Sequence, residues 1–151
     1  MRTLGNILWH IPFLGFVSAF ITFVIGILLT VTVIAAPVGV GLIEYSKFLL
    51  APFGKVMVSK NDLNIERNSV WKAYSTVIMI IYFPFGLIFA IISIFQIVGM
   101  AITIVGIPVA IVMAKSLGTT LNPVNKKCVS VAIVDEMQRR KAAEAIDSGR
   151  Y

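Results

Sequence analysis

Reactive side chains are scarce in this chain. It has one cysteine, Cys128, and one histidine, His10. A lone cysteine excludes an intramolecular disulfide and leaves no cysteine cluster for a metal. A lone histidine argues against a histidine-based zinc or iron site within one chain. Charge is equally thin. Asp, Glu, Lys and Arg make up 13% of the residues, against roughly 25% in an ordinary soluble domain. None of the four occurs from Thr3 to Ile43, and none from Ala73 to Ala114. Each run is more than twice the ~20 apolar residues needed to cross a bilayer. With 58% of its residues hydrophobic, so short a chain cannot hide its apolar surface in a soluble core. The composition is that of a membrane protein.

Catalytic equipment is missing as well. No histidine sits beside a nucleophile, no Gly-rich loop ends in Lys-Ser/Thr, and no close carboxylate pair lies at membrane depth. Gly39-Val40-Gly41 is too short and too apolar for a phosphate loop. The expectation is a chain without enzymatic activity, cofactor or metal. The net charge of +6 has a simple origin, because Lys and Arg gather in the connecting segments, as the positive-inside rule predicts. There is no basic groove interleaved with aromatics of the kind single strands need, which argues against nucleic acid as a partner. Met1-Arg2-Thr3 followed by an apolar run resembles a signal peptide. The run is too long for one, and it reads as a retained first membrane segment.

What the chain does have is a repeat. Ala35-Ala36-Pro37-Val38-Gly39 is followed, fifteen residues after Pro37, by Pro52-Phe53-Gly54-Lys55. Gly106-Ile107-Pro108-Val109-Ala110 is followed at the same interval by Pro123-Val124-Asn125-Lys126. The gapless shift that superposes Pro37 on Pro108 also superposes Pro52 on Pro123, Lys55 on Lys126, and Val58-Ser59 on Val129-Ser130. The organisation expected is a first membrane unit at 1–60, a polar connection at 61–72, a second membrane unit at 73–131 and a basic tail helix at 132–151.

Each unit reads the same way. A short lead-in, Gly5 to Ile11 with Trp9 and His10, is ended by Pro12, and Trp9 and His10 are expected at headgroup depth. Phe13 to Ala36 is long enough for a tilted crossing. Its Gly15, Ser18, Ala19, Thr22 and Gly26 fall three or four apart and predict a close helix–helix contact. Pro37 ends or kinks this span, with Gly39 close behind. Val38 to Ala51 is then too short to cross unaided, and Pro52 closes it. Val56-Met57-Val58 reads as a short extended piece and Asn68-Ser69 as a helix cap. In the second unit Pro84 is expected to interrupt the lead-in, Phe85 to Ile107 to span, Pro108 to break the helix, and Pro123 to end the short piece Val109 to Leu121. Gly86, Ala90 and Ser93 again mark a side of small residues. Ile133 to Ile146 predicts a solvated helix with Glu136–Arg140 and Asp135–Arg139 pairs.

Two topologies fit. Either each unit is a hairpin, with both Pro37 and Pro108 turns outside, or each unit crosses once and the two are inverted. Lys55 and Lys60 just before the connection, and Arg67 and Lys72 within it, favour the parallel hairpins. Both arrangements put the two termini on one side, and the basic residues from Lys126 to Arg150 assign it to the cytoplasm.

Three formal charges lie within the apolar units: Glu44, Lys47 and Lys115. Charge at membrane depth is costly and points to function. Glu44 corresponds to Lys115 under the repeat, so one reading has Glu44 with Lys115 or Lys47 lining or gating a polar path. In the other, Lys47 neutralises Glu44 while the lysines extend toward headgroups. Gln96, mid-span in the second unit, is the remaining polar residue at depth and can hydrogen-bond between helices.

The Ala-Pro-Val-Gly or Ile-Pro-Val element, an apolar helix, and Pro-Phe-Gly-Lys-Val-Met-Val resemble the YccF family of small bacterial inner-membrane proteins. The resemblance covers about residues 5–131 as two tandem YccF-type units. The second copy departs from the pattern at Ala110, Asn122 and Asn125. The resemblance implies a multi-pass protein of the bacterial inner membrane. It implies no substrate and no catalytic residue.

The fold expected is therefore all-α and polytopic, with two tandem homologous units, each a long transmembrane helix, a Pro/Gly break and a short helix, and a cytoplasmic C-terminal helix. Broken helices in duplicated units are a device of transport proteins. So few helices do not enclose a pore, so a homo-oligomer joined through the small-residue faces is expected in the bilayer. The leading functional expectation is a subunit of a channel or transporter for ions or small solutes. The alternative is a non-catalytic structural or accessory protein bound to a larger membrane partner.

Overall fold

The structure, a computed structural model, describes residues 2–11, 14–63, 65 and 68–149. The break expected at Pro12 and the charges of Arg67 and Arg150 lie outside the described residues. Six helices and two strands follow in the order α1 Arg2–His10, α2 Gly15–Val31, α3 Ala36–Leu49, β1 Lys55–Ser59, α4 Ser69–Ala101, α5 Ile107–Leu121, β2 Lys126–Ser130 and α6 Val131–Asp147.

The prolines start helices more than they end them. Helix α2 stops at Val31, and Pro37 occupies the first turn of α3. Pro108 does the same in α5. There the missing N–H would have had no partner in any case. In the turn between α2 and α3, Val33 takes φ 62°, a left-handed conformation uncommon for a β-branched residue. Pro84, expected to interrupt, lies inside the continuous 33-residue α4. A kinked or unpaired site costs less in an apolar medium than the several exposed backbone groups of a full break. The expected cap at Asn68 is present, its Oδ1 accepting from Val70 N at 3.3 Å.

Helix α4, about 50 Å long, is the one helix among the described residues that is long and apolar enough by itself to cross a membrane. The adjoining helices α1 and α2 pass the same test only when taken together as one bent span. Helices α3 and α5, of 14 and 15 residues, reach about 21–22 Å and fall short of a ~30 Å hydrocarbon core.

The small residues of α2 do form a packing face, but α3 of the same chain occupies it. Ala19 and Gly26 are buried there, whereas Gly15 is buried against Trp9 of α1 and Ser18 is exposed. A Cβ on Gly39 would come within 2.6 Å of the Gly26 carbonyl oxygen. Gly86 and Ala90 are likewise buried in the α4–α5 hairpin. The expectation that these faces join subunits is corrected: a small-residue stripe specifies close approach, and the nearest helix in the chain takes it.

Helix α1 locks onto the end of α3. Trp9 Nε1 donates to Leu49 O at 2.8 Å, His10 Nε2 to Leu50 O at 2.8 Å, and Asn6 Oδ1 accepts from Phe53 N at 3.2 Å. The first two satisfy carbonyls at a helix end that would otherwise be unpaired, and the third satisfies a backbone N–H in the turn that follows. Trp9, Ala19, Phe48, Leu49, Val109 and Val112 form the buried core where α1, α2, α3 and α5 meet.

The structure adds a sheet to the expected all-α fold. Strands β1 and β2 pair antiparallel, with Lys55 opposite Ser130, Met57 opposite Cys128 and Ser59 opposite Lys126. The extended piece expected at Val56–Val58 is present. Its partner β2 has no comparable apolar signature, and the pairing joins two distant parts of the chain, so no local pattern announces it. The repeat shift carries β1 onto β2 and the start of α3 onto the start of α5. Met57 and Cys128, equivalent under it, face each other at the centre of the ladder, so the two strands are related by a local twofold.

One contact orients the hairpins. Tyr74, near the start of α4, donates its hydroxyl to the Val33 and Ile34 carbonyls of the α2–α3 turn, at 2.6 and 2.7 Å. The α4–α5 turn follows the other end of α4, after Ala101. The turns therefore stand at opposite ends of α4, about 40 Å apart along its axis. Parallel hairpins, with both turns on one face, do not produce this contact. The charge count favours them because it registers the sign of a segment and not where the segment packs.

Candidate functional site

The charges of the apolar segments gather where α3 and α5 pass the sheet. Glu44 and Lys47 lie one helical turn apart on α3, and Lys47 Nζ bonds Glu44 Oε1 at 2.6 Å. The second carboxylate oxygen, Oε2, accepts the backbone N–H of Cys128 in β2 at 3.0 Å. Glu44 is thus saturated and its side chain is only 14% exposed, against 50% for Lys47. Lys55, at the head of β1, donates from Nζ to Lys47 O at 3.3 Å.

Lys115, the counterpart of Glu44 under the repeat, does not meet it. Its Nζ donates to Pro52 O at 3.4 Å and stands 5.3 Å from the centre of the Phe53 ring. Each of the two residues reaches from its own hairpin to the backbone that follows the other. The carboxylate takes an N–H and the ammonium gives to a carbonyl, which is what each charge type allows. Sequence reasoning singles out both positions. It misses these partners, because backbone groups carry no sequence signal.

The helix-break residues hold this junction together. Pro52 and Pro123 are fully buried. A Cβ on Gly41 would overlap the Pro123 carbonyl, and one on Gly86 the Leu121 carbonyl. Those two contacts bring the end of α5, and with it the start of β2, against the middle of both α3 and α4. Pro37 and Gly39 lie at the buried start of α3, and Pro108 at the start of α5, so these three frame the hairpins and stand away from the charges.

Gln96 lies apart from the charges. It lines a cleft of about 300 Å³ between α3, α4 and α5, with Tyr45, Tyr82, Ser93, Thr119 and Thr120. The hydroxyls there are largely engaged: Tyr82 donates to Thr120 O at 3.4 Å and Ser93 to Phe89 O at 2.8 Å. The exposed Gln96 amide bonds no described residue. No cluster of His, Cys, Asp or Glu able to hold a metal occurs among the described residues.

The family model for the YccF inner membrane component domain matches residues 4–55. That stretch is α1, the α2–α3 hairpin and the buried Pro52–Lys55 turn. Residues 4–55 are therefore similar to the YccF inner membrane component domain. The match agrees with the membrane-protein composition, and the matched stretch supplies Glu44, Lys47 and Lys55 to the junction. The rest of strand β1, helices α4 to α6 and Lys115 lie beyond the matched YccF residues. No curated protein and no solved structure matches the chain.

Proposed function

We propose that this protein is a non-enzymatic subunit of an oligomeric inner-membrane channel or transporter for ions or small solutes, built from two homologous units of inverted orientation. The observation that supports the reading is the packing of the charged sheet beside the middle of α4. With α4 as a membrane-spanning helix, its two ends are the levels of the two apolar turns. The contacts at Gly86 and Gly41 then bring β1, β2, Glu44, Lys47 and Lys115 level with its middle. Non-helical backbone at that depth is tolerated only where it is buried in protein or lines a water-filled cavity. Charges at that depth face a bundle interior or an aqueous path. One copy encloses neither, so several copies surround a shared polar centre.

Other features agree. The repeat in sequence, the coincidence of β1 with β2 under the repeat shift, and the local twofold at Met57 and Cys128 support two related units. Midplane sites at the junction of inverted repeats, with broken helices beside them, are the construction of many secondary transporters. The small-residue faces are used inside the chain, so copies meet through other surfaces. The unpartnered Gln96 amide, costly in hydrocarbon, marks one of them.

The test is flux through purified protein in liposomes. The reading expects a conductance or solute flux that changes at least severalfold in Glu44→Gln and in Lys115→Met. An assembly with a sealed, lipid-filled centre and no flux would favour the accessory-protein alternative.

A further inference from the structure

We infer that the solute taken by this path is a small anion, and that the selecting groups are the sheet lysines together with Lys47 and Lys115. This inference rests on the proposed channel or transporter function. Pairing of β1 with β2 collects charges that lie far apart in the chain. Lys55 stands at one corner of the ladder, opposite Ser130, and Lys126 at the diagonal corner, opposite Ser59. Lys127 is exposed, opposite Val58. Lys47 is half exposed, and Lys115 reaches the turn that leads into β1.

Within α3, α5 and the two strands, one carboxylate stands against these five ammonium groups. Glu44 is spent on two partners, the Lys47 ammonium and the Cys128 N–H. A wet surface with this balance is cationic. Rings of Lys or Arg select anions, by attracting them and by raising the energy of a cation at the same place. An oligomer repeats the set once per copy around its centre. Ammonium groups held by backbone carbonyls, as Lys55 and Lys115 are, are fixed in position. They remain point charges without the forked geometry of arginine, which suits a passing anion better than a tightly held one.

The experiment is the reversal potential of the reconstituted full chain in a potassium chloride gradient, with potassium gluconate as the large-anion control. The expected result is a reversal potential displaced toward chloride equilibrium. In the Lys126→Glu/Lys127→Glu variant the chloride-to-potassium permeability ratio should fall by about fivefold or more. Lys55→Gln, which leaves the Glu44–Lys47 pair in place, should lower it less. Lys141→Glu, on the exposed face of α6, is expected to leave it unchanged. A conductance that is cation-selective or unselective overturns the anion inference while leaving the transport reading intact. An anion-selective conductance indifferent to the sheet variants overturns the assignment of these lysines. Absence of any conductance or anion flux overturns both readings.

Discussion

At Gly41 the α3 backbone lies directly against the Pro123 carbonyl, and any side chain there would collide with it. Replacement by valine forces the end of α5 away from α3, carrying Cys128 away from Glu44. Overpacking of this kind typically costs ~1–3 kcal/mol. The expected outcome for Gly41→Val is a thermal midpoint in detergent lowered by several degrees, whereas Gly118→Val, with open space around its Cα, changes it little. An unchanged midpoint at Gly41 would show that the contact is not made. At this scale the sequence is informative about which positions matter and silent about their partners. Glu44, Lys47 and Lys115 stand out because charge is absent for so long on either side. That Glu44 binds a strand N–H, and Lys115 the Pro52 carbonyl, follows only from the packing.

Among the elements, the helices are the most legible in the sequence and the sheet the least. The hairpins follow from apolar run length and from the Pro37 and Pro108 positions, with boundaries moved because proline belongs inside the first helical turn. Helix α4 runs through Pro84 because a surrounding apolar medium penalises a broken helix more than one lost bond. The strands are five residues each and pair across a long stretch of intervening chain, so neither carries a local signature of the other. Their register makes a sharp prediction. Met57 faces Cys128 directly, so a Met57→Cys substitution brings two thiols within the Cα separation that a disulfide needs. Mild oxidation should give an intramolecular crosslink, seen as a faster-migrating band that reductant removes. Ser59→Cys, which faces Lys126, should not crosslink with Cys128. The reverse pattern would shift the register and put Lys55 and Lys126 elsewhere.

For the whole molecule, composition alone indicates a bilayer, and the matched YccF domain agrees. The relation of the two hairpins is not legible in the sequence. Positive-inside counting reads the sign of a segment and carries no information on which part of a neighbouring helix that segment packs against. Here Tyr74 ties the α2–α3 turn to one end of α4 while Gly86 holds the end of α5 at its middle. The charged sheet therefore packs beside the middle of α4, and the proposed path depends on water reaching it.

Water access is measured at Lys127, an exposed sheet residue. The protein is Lys127→Cys in a Cys128→Ala background, reconstituted in liposomes and treated with a bulky, membrane-impermeant thiol reagent while flux is recorded. Rapid modification of position 127 with simultaneous loss of most of the flux is the predicted result. Protection of the thiol in the assembled protein, or full modification that leaves flux untouched, would contradict it.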